Sequence, residues 1–271
     1  MSGLFAYPVK GCGGVAVTSS AVDLTGLRDD RMMMLVSAED GVFLSQRNTP
    51  ALAALRPSLV DSALRVGGES FPVVADGPRI PVVVHKWDGF GVDQGDDAAA
   101  YFSDVLGQAV RLVRMPQDVR RESGGQTEGL VGYADAHPLL VLSLSSLDGL
   151  NERVLDRGGE PVPMDRFRPN VVISGWPEPH TEDRVRRAVI GDVELGYAKD
   201  CVRCSVPLVD QDTGLRAGPE PIRTLASYRR DPDGGVTFGM KAAVVRAGSL
   251  AVGDEVDVLE WAPPAPPASP A

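Results

Sequence analysis

Short apolar runs separated by turn residues dominate the chain. VAVTS from Val15, MMMLVSA from Met32, PVVVHKW from Pro81, VRLVRM from Val110, VVISG from Val171 and AVIGDVELGYA from Ala188 are rich in β-branched and apolar residues. Clusters of Gly, Asp, Asn and Pro bound them, the pattern of short strands joined by turns. Helical periodicity is rarer. DDAAAYFSDVL (Asp96–Leu106) carries apolar residues at helical spacing behind an acidic start that suits the helix dipole. SLSSLDGLNERVL (Ser143–Leu155) has Ser and Asp at its start and leucines three and four apart. EPIRTLASY (Glu220–Tyr228), with a proline near its start, predicts a third, short helix. The expected architecture is mainly β with a few packed helices and barrel-like sheets.

The polar, glycine-rich stretch from Pro116 to Gly132 reads as a loop between two comparable halves. The predicted division is therefore 1–118 and 119–261, followed by a Pro/Ala-rich tail at 262–271 with no apolar anchor.

Composition narrows the function classes. The 271 residues include 27 Lys and Arg against 37 Asp and Glu, a formal net charge of −10. Such a surface repels phosphate backbones and anionic lipid, so nucleic acid and membranes are not expected partners. No apolar run approaches the roughly 18 residues of a spanning helix, and no secretory signal stands at the start. Three cysteines make no disulfide framework, and the expected location is cytoplasmic with reduced thiols.

The candidate chemistry centres on KDCVRCSVPLVDQDTG, where Cys201 and Cys204 flank Arg203. A zinc site needs further ligands at suitable spacing, and Cys12, His85, His137 and His180 are scattered singly. A thioredoxin-like pair opens a helix, whereas SVPLVDQDTG has β character, a proline and a tight turn. Two readings remain open: buried cysteines acting as small hydrophobes, or a thiolate favoured by Lys199 and Arg203 and suited to a soft metal. In FRPNVVISG, Arg168 and Asn170 share a direction on an extended segment and suit an anion and a heterocycle edge. Taken alone, that arginine reads more readily as a surface ion-pair partner. In YPVKGCGGVAV, Lys10 lies in a glycine-rich turn that can approach a phosphate, although no P-loop motif is present. Arg31 and Arg47 add two further cations.

Seven segments in order are more specific than any one of them. They are YPVKG, the Asp30-Arg31 pair entering an apolar strand, LSQRNTPALA, PLLVLSLSSLDGLN, FRPNVVISG, CVRCSVPLVDQDTG and LASYRR. In that order the chain resembles the MOSC family with its N-terminal MOSC β-barrel domain, the group that includes amidoxime-reducing proteins and the C-terminal domain of molybdenum-cofactor sulfurases. The resemblance runs from Leu4 to about Trp261. It implies a MOSC β-barrel core, a molybdenum–molybdopterin cofactor (Moco) and Cys204 as metal ligand and catalytic residue, with Cys201 the alternative should the register differ. It also implies that Lys10, Arg31 and Arg168 grip the anionic cofactor. Gly11, Asp135, Ala136, His137, Asn170, Val202 and the backbone of Arg203 then contact pterin or phosphate.

The implied reaction is reduction of a small N-hydroxylated substrate, an amidoxime or hydroxylamine. Electrons would come from a separate donor protein, such as a ferredoxin, a cytochrome b5-like protein or a flavoprotein reductase. The alternative is a module that carries the cofactor, or sulfur as a cysteine persulfide, without reductase activity; no pyridoxal-phosphate-binding domain accompanies it. Two departures from the family pattern bear on the site. Gly11 stands where relatives often carry serine, and His137 where they carry serine or threonine.

Overall fold

The computed structural model describes residues 1–263 and is mainly β, a curled half-barrel sheet joined to an N-terminal barrel domain. The larger sheet has eight strands, in the order Val256–Trp261, Val185–Ile190, Val193–Val202, Thr237–Arg246, Leu139–Ser143, Val171–Ile173, Gly3–Ala6 and Val15–Ala16. The five-stranded N-terminal sheet runs Arg79–Val84, Trp87–Asp93, Val110–Arg114, Met33–Ser37 and Val9–Lys10. Neighbours pair antiparallel except at two places: Leu139–Ser143 beside Val171–Ile173, and Val9–Lys10 beside Met33–Ser37. Those two parallel pairs deliver Lys10 and the FRPN segment to one cleft.

Runs buried on both faces form interior strands of each sheet. Met33, Met34, Leu35 and Val36 are all buried, as are Val171, Val172 and Ile173, which explains why these runs are continuously apolar rather than alternating. Leu4, Val22 and Leu27 join the core of the larger sheet, while Val9, Leu35, Phe102 and Leu112 build a second core beneath the smaller one. Cys12 belongs to that second core, and burial pushes its thiol up to about 12, so it packs as a hydrophobe. Thus the first strand of the chain completes the sheet built mostly from its second half.

Helix α1 spans Asp96–Leu106, with Asp96 and Asp97 in its first turn and Gly107 closing it at φ 63°. That left-handed angle is cheap only for glycine. Helix α2 spans Leu144–Asp156, and Ser143 caps it by accepting from the Ser146 amide at 3.2 Å. The third predicted helix contracts to one turn, Ile222–Leu225. Two apolar runs read as continuous prove to be hairpins. PVVVHKW turns at His85, whose φ is 57°, and AVIGDVELGYA turns at Gly191, whose φ is 55°.

Within the expected inter-domain loop a short hairpin forms, Arg121–Ser123 against Gly129–Val131. Its three-residue strands are too short to display alternation in the sequence. Residues 264–271 of the predicted tail lie outside the described residues. Among the described residues no helix is long and apolar enough to cross a membrane.

Candidate functional site

Twelve residues expected at a site line one open cleft between the two sheets: Lys10, Gly11, Arg31, Asp135, Ala136, His137, Arg168, Asn170, Cys201, Val202, Arg203 and Cys204. Arg47 and Lys241 line it as well. Six cations thus face a single lining carboxylate, in a chain whose net charge is −10. Such a concentration of one sign in a concave site focuses potential on an anion.

The cations are set by the backbone. Lys10 ends a strand paired with Met33–Ser37, and Gly11 follows at φ 84°, a turn angle glycine takes without strain. The Lys10 ammonium is buried and pairs with the Asp135 carboxylate, which also receives His85 at 3.1 Å and Arg47 at 3.7 Å. Burial pushes Lys10 below its ordinary range against the pull of Asp135. Burial works to raise Asp135, but the charge of Lys10 and the His85 and Lys10 hydrogen bonds outweigh it and hold the carboxyl well below its usual range. Asp135 therefore stands in the cleft lining as counterion to two of its cations.

Arg31 and Arg168 sit at φ 52° and 60°, left-handed angles that side-chain-bearing residues adopt only when their surroundings hold them there. Arg31 donates to Asp30 at 2.5 Å and to the Asn170 side-chain oxygen at 3.0 Å. Its carbonyl accepts the Tyr133 amide at 2.7 Å, fastening the segment that carries Asp135, Ala136 and His137. Arg168 has no carboxylate partner among the described residues and donates to Gln211 at 3.2 Å. Burial lowers it to about 10, so it stays charged at neutral pH. The surface ion pair that its sequence context allowed is absent, because Arg168 precedes the strand and its chain turns inward.

Asn170 is almost wholly committed to structure. Its oxygen accepts from Arg31 and from the Leu140 amide at 3.3 Å, and its nitrogen donates to the Phe5 carbonyl at 3.1 Å. One amide hydrogen remains uncommitted.

The two cysteines differ sharply. Cys201 is 6% exposed at the end of Val193–Val202, whereas Cys204 lies beyond that strand and is exposed. All three cysteines are free, and among the described residues no group of three or more His, Cys, Asp and Glu could hold a metal. The turn after Cys204 is Ser205 and a 3-10 segment, Val206–Leu208, not a helix N-terminus.

Arg203 was expected beside Cys204, but its guanidinium donates to the Cys201 sulfur at 2.9 Å and to the Phe167 carbonyl at 2.9 Å. Positions i and i+2 of an extended segment share a face, which is why it meets Cys201. The cation at Cys204 is Arg47, with Nη1 3.7 Å from Sγ. The Arg203 amide, expected to face a ligand, is spent on the Val236 carbonyl at 2.8 Å. Its buried Nε, however, has no partner.

His137 is 7% exposed and donates Nε2–H to the Gly124 carbonyl at 2.6 Å, leaving Nδ1 a buried acceptor without a partner. Burial pushes it down to about 4, reinforced by Lys241 and Lys199. It is neutral at physiological pH, which suits a hydrogen-bond acceptor rather than a proton donor.

Residues 1–109 match the MOSC N-terminal beta barrel domain, and residues 128–257 match the MOSC domain. The chain belongs to the MOSC family. Mitochondrial amidoxime-reducing component 1 of Mus musculus is 35% identical over 281 residues, covering 94% of this chain and 81% of that protein. Mitochondrial amidoxime reducing component 2 of Rattus norvegicus is 34% identical, covering 94% and 82%. Molybdenum cofactor sulfurase of Oryza sativa subsp. japonica is 30% identical over 89% of this chain, which spans 32% of that protein.

Lys241 and Gln46 also contribute to this MOSC cleft; Lys241 lies outside the seven segments, and Gln46, within LSQRNTPALA, had no role assigned to it. Lys241 sits on Thr237–Arg246, a strand whose glycine and lysine interrupt its apolar pattern. Gln46 donates to the Gly11 carbonyl at 2.7 Å and exchanges two amide hydrogen bonds with Gln211, at 3.0 and 3.1 Å. That pair ties the LSQR segment to the VDQDTG turn. Asp210 of the turn accepts from Asp212 and Thr213 of its own loop, so it shapes the wall.

Proposed function

We propose that the protein is a molybdenum-cofactor oxidoreductase that reduces N-hydroxylated compounds. The observation that carries this reading is the convergence of six cations and one exposed thiol in a single cleft of an acidic chain. The donor set suits the group chemically. Cys204 offers a soft sulfur ligand for molybdenum, with the Arg47 guanidinium 3.7 Å from its sulfur. Lys10, Arg31 and Arg168 offer charge to the anionic part of a molybdopterin. The partnerless Arg203 Nε donor and His137 Nδ1 acceptor match the mixed donors and acceptors of a heterocycle.

When bound, the cofactor supplies two-electron oxygen-atom acceptance, so that R–NH–OH, two electrons and two protons give R–NH2 and water. The electrons come from a separate donor protein. The chain's own work is to bind and orient. The arginines fix the anion, Asp135 balances Lys10 and Arg47 until the anion arrives, and buried His137 stays neutral so that it can accept a hydrogen bond. A cytoplasmic location belongs to the same proposal and is tested by fractionation.

Protein produced in cofactor-replete cells is expected to carry one molybdenum and one molybdopterin per chain, and to reduce benzamidoxime with a reduced viologen dye. Cys204→Ser is expected to lose metal and activity together. Replete protein without molybdenum by elemental analysis would sink the reading. The exposure of Cys204 also suits a sulfur carrier. A persulfide on Cys204, with no turnover from the artificial donor, would favour that second reading.

A further inference from the structure

Tyr7 is 3% exposed and touches the cleft only through other residues. Two guanidinium carbons lie over its ring, Arg31 at 4.2 Å and Arg168 at 4.4 Å from the centroid. The face of an aromatic ring attracts cations, and more strongly where water is excluded. Tyr7 also holds the backbone of Arg31 and that of Pro169, the residue after Arg168. Its amide donates to Asp30 at 2.7 Å, its carbonyl accepts the Arg31 amide at 2.7 Å, and its hydroxyl donates to the Pro169 carbonyl at 3.0 Å. Both arginines sit at left-handed angles, a costly arrangement that needs such over-determination. Burial pushes the phenol up to about 12, so the ring acts as a neutral face rather than an anion. Gly14 completes the mount, because a Cβ there would stand 2.4 Å from the ring.

We infer that Tyr7 is a positioning residue, whose ring and backbone hold Arg31 and Arg168 as a ready-made pair for the anionic group of the ligand. The inference rests on reading the cleft as an anion site. An ordinary core tyrosine would tolerate an aliphatic of similar size without changing anion affinity; a platform for two cations would not.

Calorimetric titration of the full, cofactor-free chain with pyrophosphate separates these cases. Tyr7→Phe keeps the ring and is expected to retain affinity within about threefold. Tyr7→Leu is expected to lose about tenfold or more. In an Arg31→Met, Arg168→Met background the same Tyr7→Leu change should add no further loss, since the residue acts through those two side chains. If Tyr7→Leu does not fold by circular dichroism, Gly14→Ala displaces the ring instead and should weaken binding in the same direction. Unchanged affinity in the folded variant, or equal losses in Tyr7→Phe and Tyr7→Leu, would overturn the inference. Molybdenum loading without any pyrophosphate binding by the wild type would overturn it and leave the proposed function standing. Tyr7-dependent pyrophosphate binding without molybdenum would do the reverse.

Discussion

Arg168 shows what a buried cation without a carboxylate costs a fold. Its guanidinium meets Gln211 and the Tyr7 ring, and burial brings it down to about 10 from 12.5. A cation whose folded pKa is depressed destabilises the protein while it is charged in both states, and the penalty is relieved only as pH rises through about 10 toward 12.5. At pH 7 the full penalty is present, and an apolar replacement of similar length removes it. Arg168→Met is therefore expected to raise stability by roughly 1–3 kcal/mol in denaturant titrations while weakening pyrophosphate binding about tenfold or more. A variant both weaker in stability and unaltered in binding would contradict the reading of Arg168 as an anion ligand. His137 has the same sign of pH dependence in a lower window. Its folded pKa of about 4 lies below the unfolded 6.5, so its stabilisation is complete above pH 6.5 and is lost as pH falls toward 4. His137→Gln keeps a donor for the Gly124 carbonyl but cannot titrate. Stability measured from pH 7 to 4 should then fall less steeply than in the wild type, by up to about 1.4 kcal/mol per pH unit.

Elements decide how far a sequence can be read. Strongly apolar runs such as Met33–Ser37 and Val171–Ile173 were legible because burial on both faces leaves no room for polar residues. Helix α1 was legible from its acidic start and periodicity. Thr237–Arg246, half of the longest strand pair, was not, because Gly239 and Lys241 break its pattern. At the site, the ordered motifs named residues that do share one cleft, yet partners across it were invisible. Arg47 and Cys204 lie 157 positions apart and meet only through the topology. The Arg203–Cys201 contact, by contrast, could have been foreseen from the alternation of an extended segment. The turn into α2 makes the element scale testable. Ser143 caps the helix, and its hydroxyl and that of Ser146 each donate at 2.8 Å to Glu182, a fully buried carboxylate. Ser143→Ala removes the cap and one of those donors, so a loss of roughly 1–3 kcal/mol is expected. Chemical denaturation should report it as a lower midpoint with an unchanged slope.

At the scale of the molecule, the two family matches at 1–109 and 128–257 suggest separable units, but the strands are shared. Gly3–Ala6 pairs with Val171–Ile173, and Ser19–Asp23 pairs with Gly248–Ala251. Leu4, Val22 and Leu27 are buried in the core of the larger sheet. A fragment beginning at residue 119 would lose those side chains and bare the Val171–Ile173 edge, which offers unpaired backbone groups to other chains. Across the cleft, Gln46 with Gln211 and Arg56 with Asp212 add polar ties between the halves. Shared strands couple the two cores, so opening one exposes the other. The full chain is accordingly expected to unfold in a single calorimetric transition whose van't Hoff and calorimetric enthalpies agree. The 119–261 fragment should aggregate or bind a hydrophobic dye, and adding a peptide of residues 1–28 should reduce that exposure. Two resolved transitions, or a fragment that folds cooperatively alone, would mean that the cleft lies between independent domains and that its cations are not held in register by a common sheet.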